Sequence, residues 1–79
     1  MKLSQIRYFV AVYEEGSFTA AARRENATQS GLSMQIKELE GSIGAQLFER
    51  QSSGVIPTKV GEKLYQHATR LVRHVSDIR

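Results

Sequence analysis

The stretch from Ser17 to Gly44, SFTAAARRENATQSGLSMQIKELEGSIG, decides the fold. It reads as a short Ala-rich helix, a tight turn and a longer helix with one apolar stripe and one free polar face. Ser17 is placed to cap the short helix, its hydroxyl accepting a free backbone N–H. Ala21 and Ala22 let a crossing helix approach closely, whereas Ala20 is equally explained by the helix propensity of alanine. Asn26 and Ala27 form the turn, and Thr28 caps the longer helix, which runs to about Ile43. Within it Leu32, Ile36, Leu39 and Ile43 recur at i, i+4, i+7 and i+11 and cluster on one arc. Ser30, Met34, Lys37 and Gly41 fall opposite, with Ser33 and Glu38 flanking them. Gly44 supplies the C-terminal stop.

Outward from this pair, Leu3, Ile6, Phe9, Val10 and Tyr13 predict a first helix over about Ser4 to Glu15, ended by Gly16. On the other side, Leu47-Phe48-Glu49-Arg50 and Val55-Ile56 flank Gln51-Ser52-Ser53-Gly54, which predicts a small hairpin closed by Pro57. Thr58 then caps a last helix. Its Leu64, Ala68, Leu71, Val75 and Ile78 are spaced 4, 3, 4, 3, the alternation of a coiled-coil seam, and predict pairing with a second subunit. Packing on the helix's own domain would give a similar stripe. The seam stops without a cap, as expected of a piece of a longer chain.

Bulk properties narrow the field. The 79 residues suffice for one small domain with a thin core. There is no cysteine, which removes disulfides, thiolate metal sites and thiol catalysis. The formal net charge of +3 suits a polyanionic partner but is weak evidence alone. The N-terminal apolar run is broken by Gln5 and Arg7, unlike a signal peptide, and no segment approaches the ~20 apolar residues of a membrane span. A cytoplasmic location is expected. His67 and His74 lie seven positions apart, roughly 10 Å along a helix, too far to chelate one metal easily. No phosphate loop and no nucleophile elbow occurs, so no enzyme activity, cofactor or metal is expected of this domain.

The nucleic-acid reading draws on several features that agree. The helix starting Thr28-Gln29-Ser30-Gly31 is small and polar at the end that enters a groove in helix-turn-helix proteins. Gln29 can bond adenine in bidentate fashion and Ser33 can bond several base edges. Thr28, Ser33 and the free amides of the helix start suit phosphate oxygens. Lys37, on the same side, suits a phosphate or a guanine. Each residue alone fits a solvated face equally well.

Residues 1 to about 58 resemble the N-terminal winged helix-turn-helix domain of LysR-type transcriptional regulators. The matching residues are Leu3, Phe9 and Val12, then Ser17 to Ala22, Thr28-Gln29, Leu32-Ser33, Gln35-Ile36, Leu39-Glu40, Ile43-Gly44, Leu47 to Arg50, Thr58 and Gly61-Glu62. Residues 59 to 79 resemble the linker helix through which these regulators dimerise. The resemblance implies a mainly α fold: a three-helix core with its helix-turn-helix at about 18–43, a hairpin wing at about 47–57, and a dimerisation helix. It implies sequence-specific binding of double-stranded DNA by a bacterial regulator. Thr19 and Thr28 would hold phosphates, Gln29 and Ser33 would lie at base edges, Lys37 along the groove, and Arg50 would reach backbone or minor groove from the wing. It further implies a homodimer on an interrupted dyad, a tetramer in the whole protein, and a small-molecule effector bound by a further domain.

The chain departs from the family where proline is usual at 30 or 31 (here Ser30-Gly31), where arginine is frequent at 34 (here Met34) and in the wing (here Ser52-Ser53), and where Pro57 replaces leucine. Met34 offers a flexible apolar group to a thymine methyl. Ser30, Met34 and Ser53 therefore stand as candidate DNA contacts of this chain's own kind, with fewer charged contacts and a shallower salt dependence expected. The rival readings are a protein-interaction module on the same scaffold, a small hydrolase or metal protein, and a monomeric DNA binder.

Overall fold

The computed structural model describes residues 1–78, with side chains except at position 72 and positions 74–78. Helix α1 (Leu3–Glu15), α2 (Phe18–Arg24) and α3 (Gln29–Ile43) are followed by strands β1 (Phe48–Gln51) and β2 (Gly54–Pro57) and by helix α4 (Lys59–Ile78). The caps fall where the sequence places them. Ser17 Oγ accepts the Ala20 amide and Thr28 Oγ1 accepts the Gly31 amide. Gly16 and Gly44 end α1 and α3 in the left-handed region. Thr58 starts α4, its Oγ1 accepting the Gly61 amide.

The core lies among α1, α2 and α3. Phe9, Val12, Leu32, Leu39 and Leu47 are its fully buried large side chains. Each contributes roughly 1.5–3 kcal/mol by leaving water. Ala21 and Ala22 are buried, so their small size does serve close packing. Ile43, the last member of the α3 stripe, packs at the core's edge. One polar side chain is buried with them: Gln5, 3% exposed. Its Oε1 accepts the Lys2 amide, and its Nε2 donates to Gln35 Oε1 at 3.1 Å and Glu38 Oε2 at 3.2 Å. Burial costs little when the group keeps its hydrogen bonds, and here those bonds tie α1 to α3.

The hairpin is tighter than the sequence predicts. Gln51 pairs with Gly54, leaving a two-residue turn at Ser52-Ser53. The reason is tertiary. Gly54 adopts φ 140°, and a Cβ there would lie 2.6 Å from the Gly16 carbonyl oxygen. That same oxygen accepts the Val55 amide at 3.1 Å. The second strand is therefore fastened to the α1–α2 turn, and Gly54 is drawn into the ladder. Phe48 anchors the other strand, 5.3 Å from Phe9 and 6.2 Å from Phe18 between ring centroids.

Helix α4 corrects the seam expectation. Ala68 is 3% exposed and belongs to the single chain's own core, with Leu64 packed against it. Ala68 is covered by the domain and so does not form an open dimer seam, whereas Leu64 is half-buried against the core. A 4-3 stripe specifies an apolar face without specifying what covers it. Leu71, by contrast, is 48% exposed. Val75 and Ile78 lie outside the described side chains.

Candidate nucleic-acid interface

Helix α3 and the hairpin enclose an open groove of about 680 Å³. Ser30, Ser33, Met34 and Lys37 line it from α3, and Glu49 and Arg50 from β1. The helical period creates this wall. Leu32, Ile36 and Leu39 spend one face of α3 on the core, so the residues between them must face out. Glu40 fixes the far end, its Oε2 accepting the Leu47 amide at 2.7 Å. This bond holds the start of the wing against α3.

Arg50 projects from the wing over Phe18, with its guanidinium carbon 4.6 Å from the ring centroid. Stacking of this kind occupies the flat face of the guanidinium and leaves its in-plane N–H donors free for an anion. Phe18 was not a candidate from sequence; it is the platform that aims Arg50. Among the described residues neither Lys37 nor Arg50 takes part in an ion pair. Glu49 and Glu40 also line the groove, so its two cations share it with two carboxylates.

At the mouth of the helix-turn-helix, the Thr19 hydroxyl donates to Gln29 Oε1 at 3.1 Å. Its only donor is thereby used, so a phosphate would have to displace Gln29 to take it. The same bond occupies Gln29 Oε1 and leaves its Nε2 without a partner among the described residues, so Gln29 offers donors ahead of an acceptor. Thr28 differs. Its oxygen accepts from Gly31, and its O–H remains free to donate. The amides of Gln29 and Ser30 precede the first intrahelical bond and add donors at the same end. Met34 is 61% exposed, an apolar group on an otherwise polar wall. Ser53 sits at the wing tip, exposed and outside the groove lining. Ser30, Ser33, Met34, Lys37 and Arg50 are thus brought to one groove, Thr19, Thr28 and Gln29 to its mouth, and Ser53 to a separate point. Among the described residues, no group of acidic, histidine and cysteine side chains could hold a metal ion, and no helix is long and apolar enough to cross a membrane.

A three-helix core, an exposed polar third helix and an adjoining hairpin define a winged helix-turn-helix domain. Residues 3–62 match the model of the bacterial regulatory helix-turn-helix proteins of the lysR family, and the chain belongs to that family. It is 45% identical over 78 residues to the transcriptional regulator ClcR of Pseudomonas putida, covering 99% of this chain and 26% of that protein. It is 46% identical over 78 residues to the transcriptional regulator BenM of Acinetobacter baylyi, again covering 99% and 26%. The chain thus spans about a quarter of the length of these relatives. Among solved structures, the BenM DNA-binding domain in complex with catB site 1 DNA superposes with a TM-score of 0.93 at 46% identity, covering 99% of this chain and 87% of that one. The CbnR DNA-binding domain in complex with DNA superposes with a TM-score of 0.91 at 32% identity, covering 98% and 88%.

Proposed function

We propose that this chain is the sequence-specific DNA-binding domain of a bacterial transcription regulator, acting by binding and positioning without catalysis. The observation that carries the reading is the groove: Lys37 of α3 and the stacked Arg50 of β1 line it together, and neither takes part in an ion pair among the described residues. The relatives named as transcriptional regulators and the neighbours solved on DNA support it.

Helix α3 enters the major groove with its N-terminal turn leading. Thr28, the Gln29 and Ser30 amides, Lys37 and Arg50 hold phosphates and fix the register. Ser33, Met34 and the amide donors of Gln29 meet base edges, Met34 favouring a thymine methyl. Ser53 reaches backbone from the wing tip. Two chains pair through α4 along the flank that the domain leaves open, where Val60 and Leu71 are exposed. Paired recognition helices then meet half-sites about 34 Å apart, or a multiple of that. In the whole protein the pairs assemble as tetramers, a further domain binds a small effector, and the protein works in the bacterial cytoplasm.

Selection of bound duplexes from a random pool at low salt tests this reading. Enrichment of an interrupted dyad is expected. A single unpaired half-site would retain DNA binding and remove the pairing. No enrichment by the folded chain would leave a protein-interaction module as the better reading.

A further inference from the structure

Outside the groove lining, a continuous polar chain crosses three helices. The Tyr65 hydroxyl of α4 donates to Glu14 Oε2 of α1 at 2.5 Å. Glu14 Oε1 lies 2.8 Å from Arg24 Nη2 of α2. Arg24 also meets Glu15 at 3.2 Å and Glu25 at 3.8 Å, and Glu25 meets Arg7 at 3.5 Å. Beside this, the Tyr65 and Tyr13 rings stack with centroids 3.8 Å apart and planes within 5°. Tyr13 and Tyr65 also pack against the core, so these contacts add directional bonds to an apolar one where α4 meets the head.

We infer that Tyr65 and Glu14 are positioning residues that set the heading of α4 and so select the spacing between two half-sites; this rests on the proposed pairing through α4. The lever is long. Twenty residues of helix span about 30 Å at about 1.5 Å per residue. From Tyr65 to Ile78 the helix runs about 20 Å, so a tilt of about ten degrees at Tyr65 displaces that end by about 3.4 Å, the rise of one base pair. Control of about ten degrees is therefore control of about one base pair. Ala68 and Leu64 resist separation of α4 from the head, but apolar packing is non-directional and permits rocking. A charge-assisted hydrogen bond and a stacked ring pair are directional.

The test compares the chain with Tyr65→Phe, which keeps the stacked ring and removes only the hydroxyl, and with Glu14→Gln. Affinity is measured for a duplex with one selected half-site, and for duplexes with two inverted half-sites whose spacer changes by single base pairs. The unaltered chain is expected to prefer one spacer by about tenfold over neighbours two base pairs away, and both variants to lose most of that preference with half-site affinity unchanged. Spacer preference retained in both variants would overturn the inference and leave the pairing intact. Equal loss of affinity on single half-sites would overturn it too, because the residues would then act through the head. Indifference of the unaltered chain to spacer would remove the pairing, and the inference with it.

Discussion

The two sides of this small domain use the same residue types to opposite ends. On α1 and α2, Arg24 meets three carboxylates and Arg7 adds a contact to Glu25, so the charge of these two arginines is consumed at home. Along α3 and the wing, Lys37 and Arg50 have no carboxylate partner among the described residues. Total charge would not separate these faces. What distinguishes these two clusters is whether each cation already has an anion; Lys37 and Arg50, without one among the described residues, have charge to offer a phosphate backbone.

The largest expected effect lies at the junction of the two sides. Gly61 opens α4 against the loop before the wing, and a Cβ there would lie 2.2 Å from the Leu47 carbonyl oxygen. Gly61→Ala should force helix and wing apart and lower stability by about 3 kcal/mol in urea unfolding. An unchanged midpoint would mean that the approach is looser than described. Next, Gln5→Ala should lose about 1–2 kcal/mol, because Gln35 and Glu38 lose their shared donor while α3 loses its strut. DNA affinity should fall with it if the strut aligns the reading face.

On the open side, Lys37→Ala should leave stability within about 0.5 kcal/mol. If Lys37 holds a phosphate, the variant should bind all duplexes more weakly and flatten the slope of log affinity against log salt by about 0.9. A sequence-dependent loss would instead assign Lys37 to a base. Loss of affinity without any change in salt slope would remove it from phosphate contact.

The smallest effect concerns pH on the closed side. The Tyr65 hydroxyl bond, with Arg24 beside it, holds Glu14 below the usual carboxylate range despite partial burial. A depressed carboxyl stabilises the fold above its unfolded value and loses that contribution as pH falls through the folded one. Tyr65 is shifted the other way, raised chiefly by its bond to Glu14. Its contribution is full below the ordinary tyrosine value and fades as pH rises through the raised one. Glu14→Gln should therefore flatten the acid limb of stability against pH, measured by thermal unfolding. An acid limb identical to that of the unaltered chain would place the titration elsewhere.

Much of the frame was legible because local rules fix it. Ser17, Thr28 and Thr58 cap their helices through bonds three residues away, and the α3 stripe follows from the helical period alone. The parts that were not legible depend on distant partners. Tyr65 and Glu14 are 51 positions apart, and Gln5 and Gln35 are 30; no spacing rule joins them. The hairpin was foreseen, but its tight turn depends on the Gly16 carbonyl. The 4-3 stripe of α4 predicts a seam at Ala68, which the core covers, because periodicity reports an apolar face and not its occupant. At the site, the outward face of α3 was legible residue by residue. The Thr19–Gln29 bond and the Phe18 platform beneath Arg50 were not, since each joins elements that only the fold brings together.

The most direct test of the open and closed faces is a titration of the isotope-labelled chain with its selected duplex, followed by amide resonances. Shifts concentrated at residues 28–37 and 48–55, with Arg7, Glu14, Glu15 and Arg24 unmoved, are the expected result. Shifts centred on the ion-paired back of α1 and α2, with the α3–wing groove silent, would contradict it.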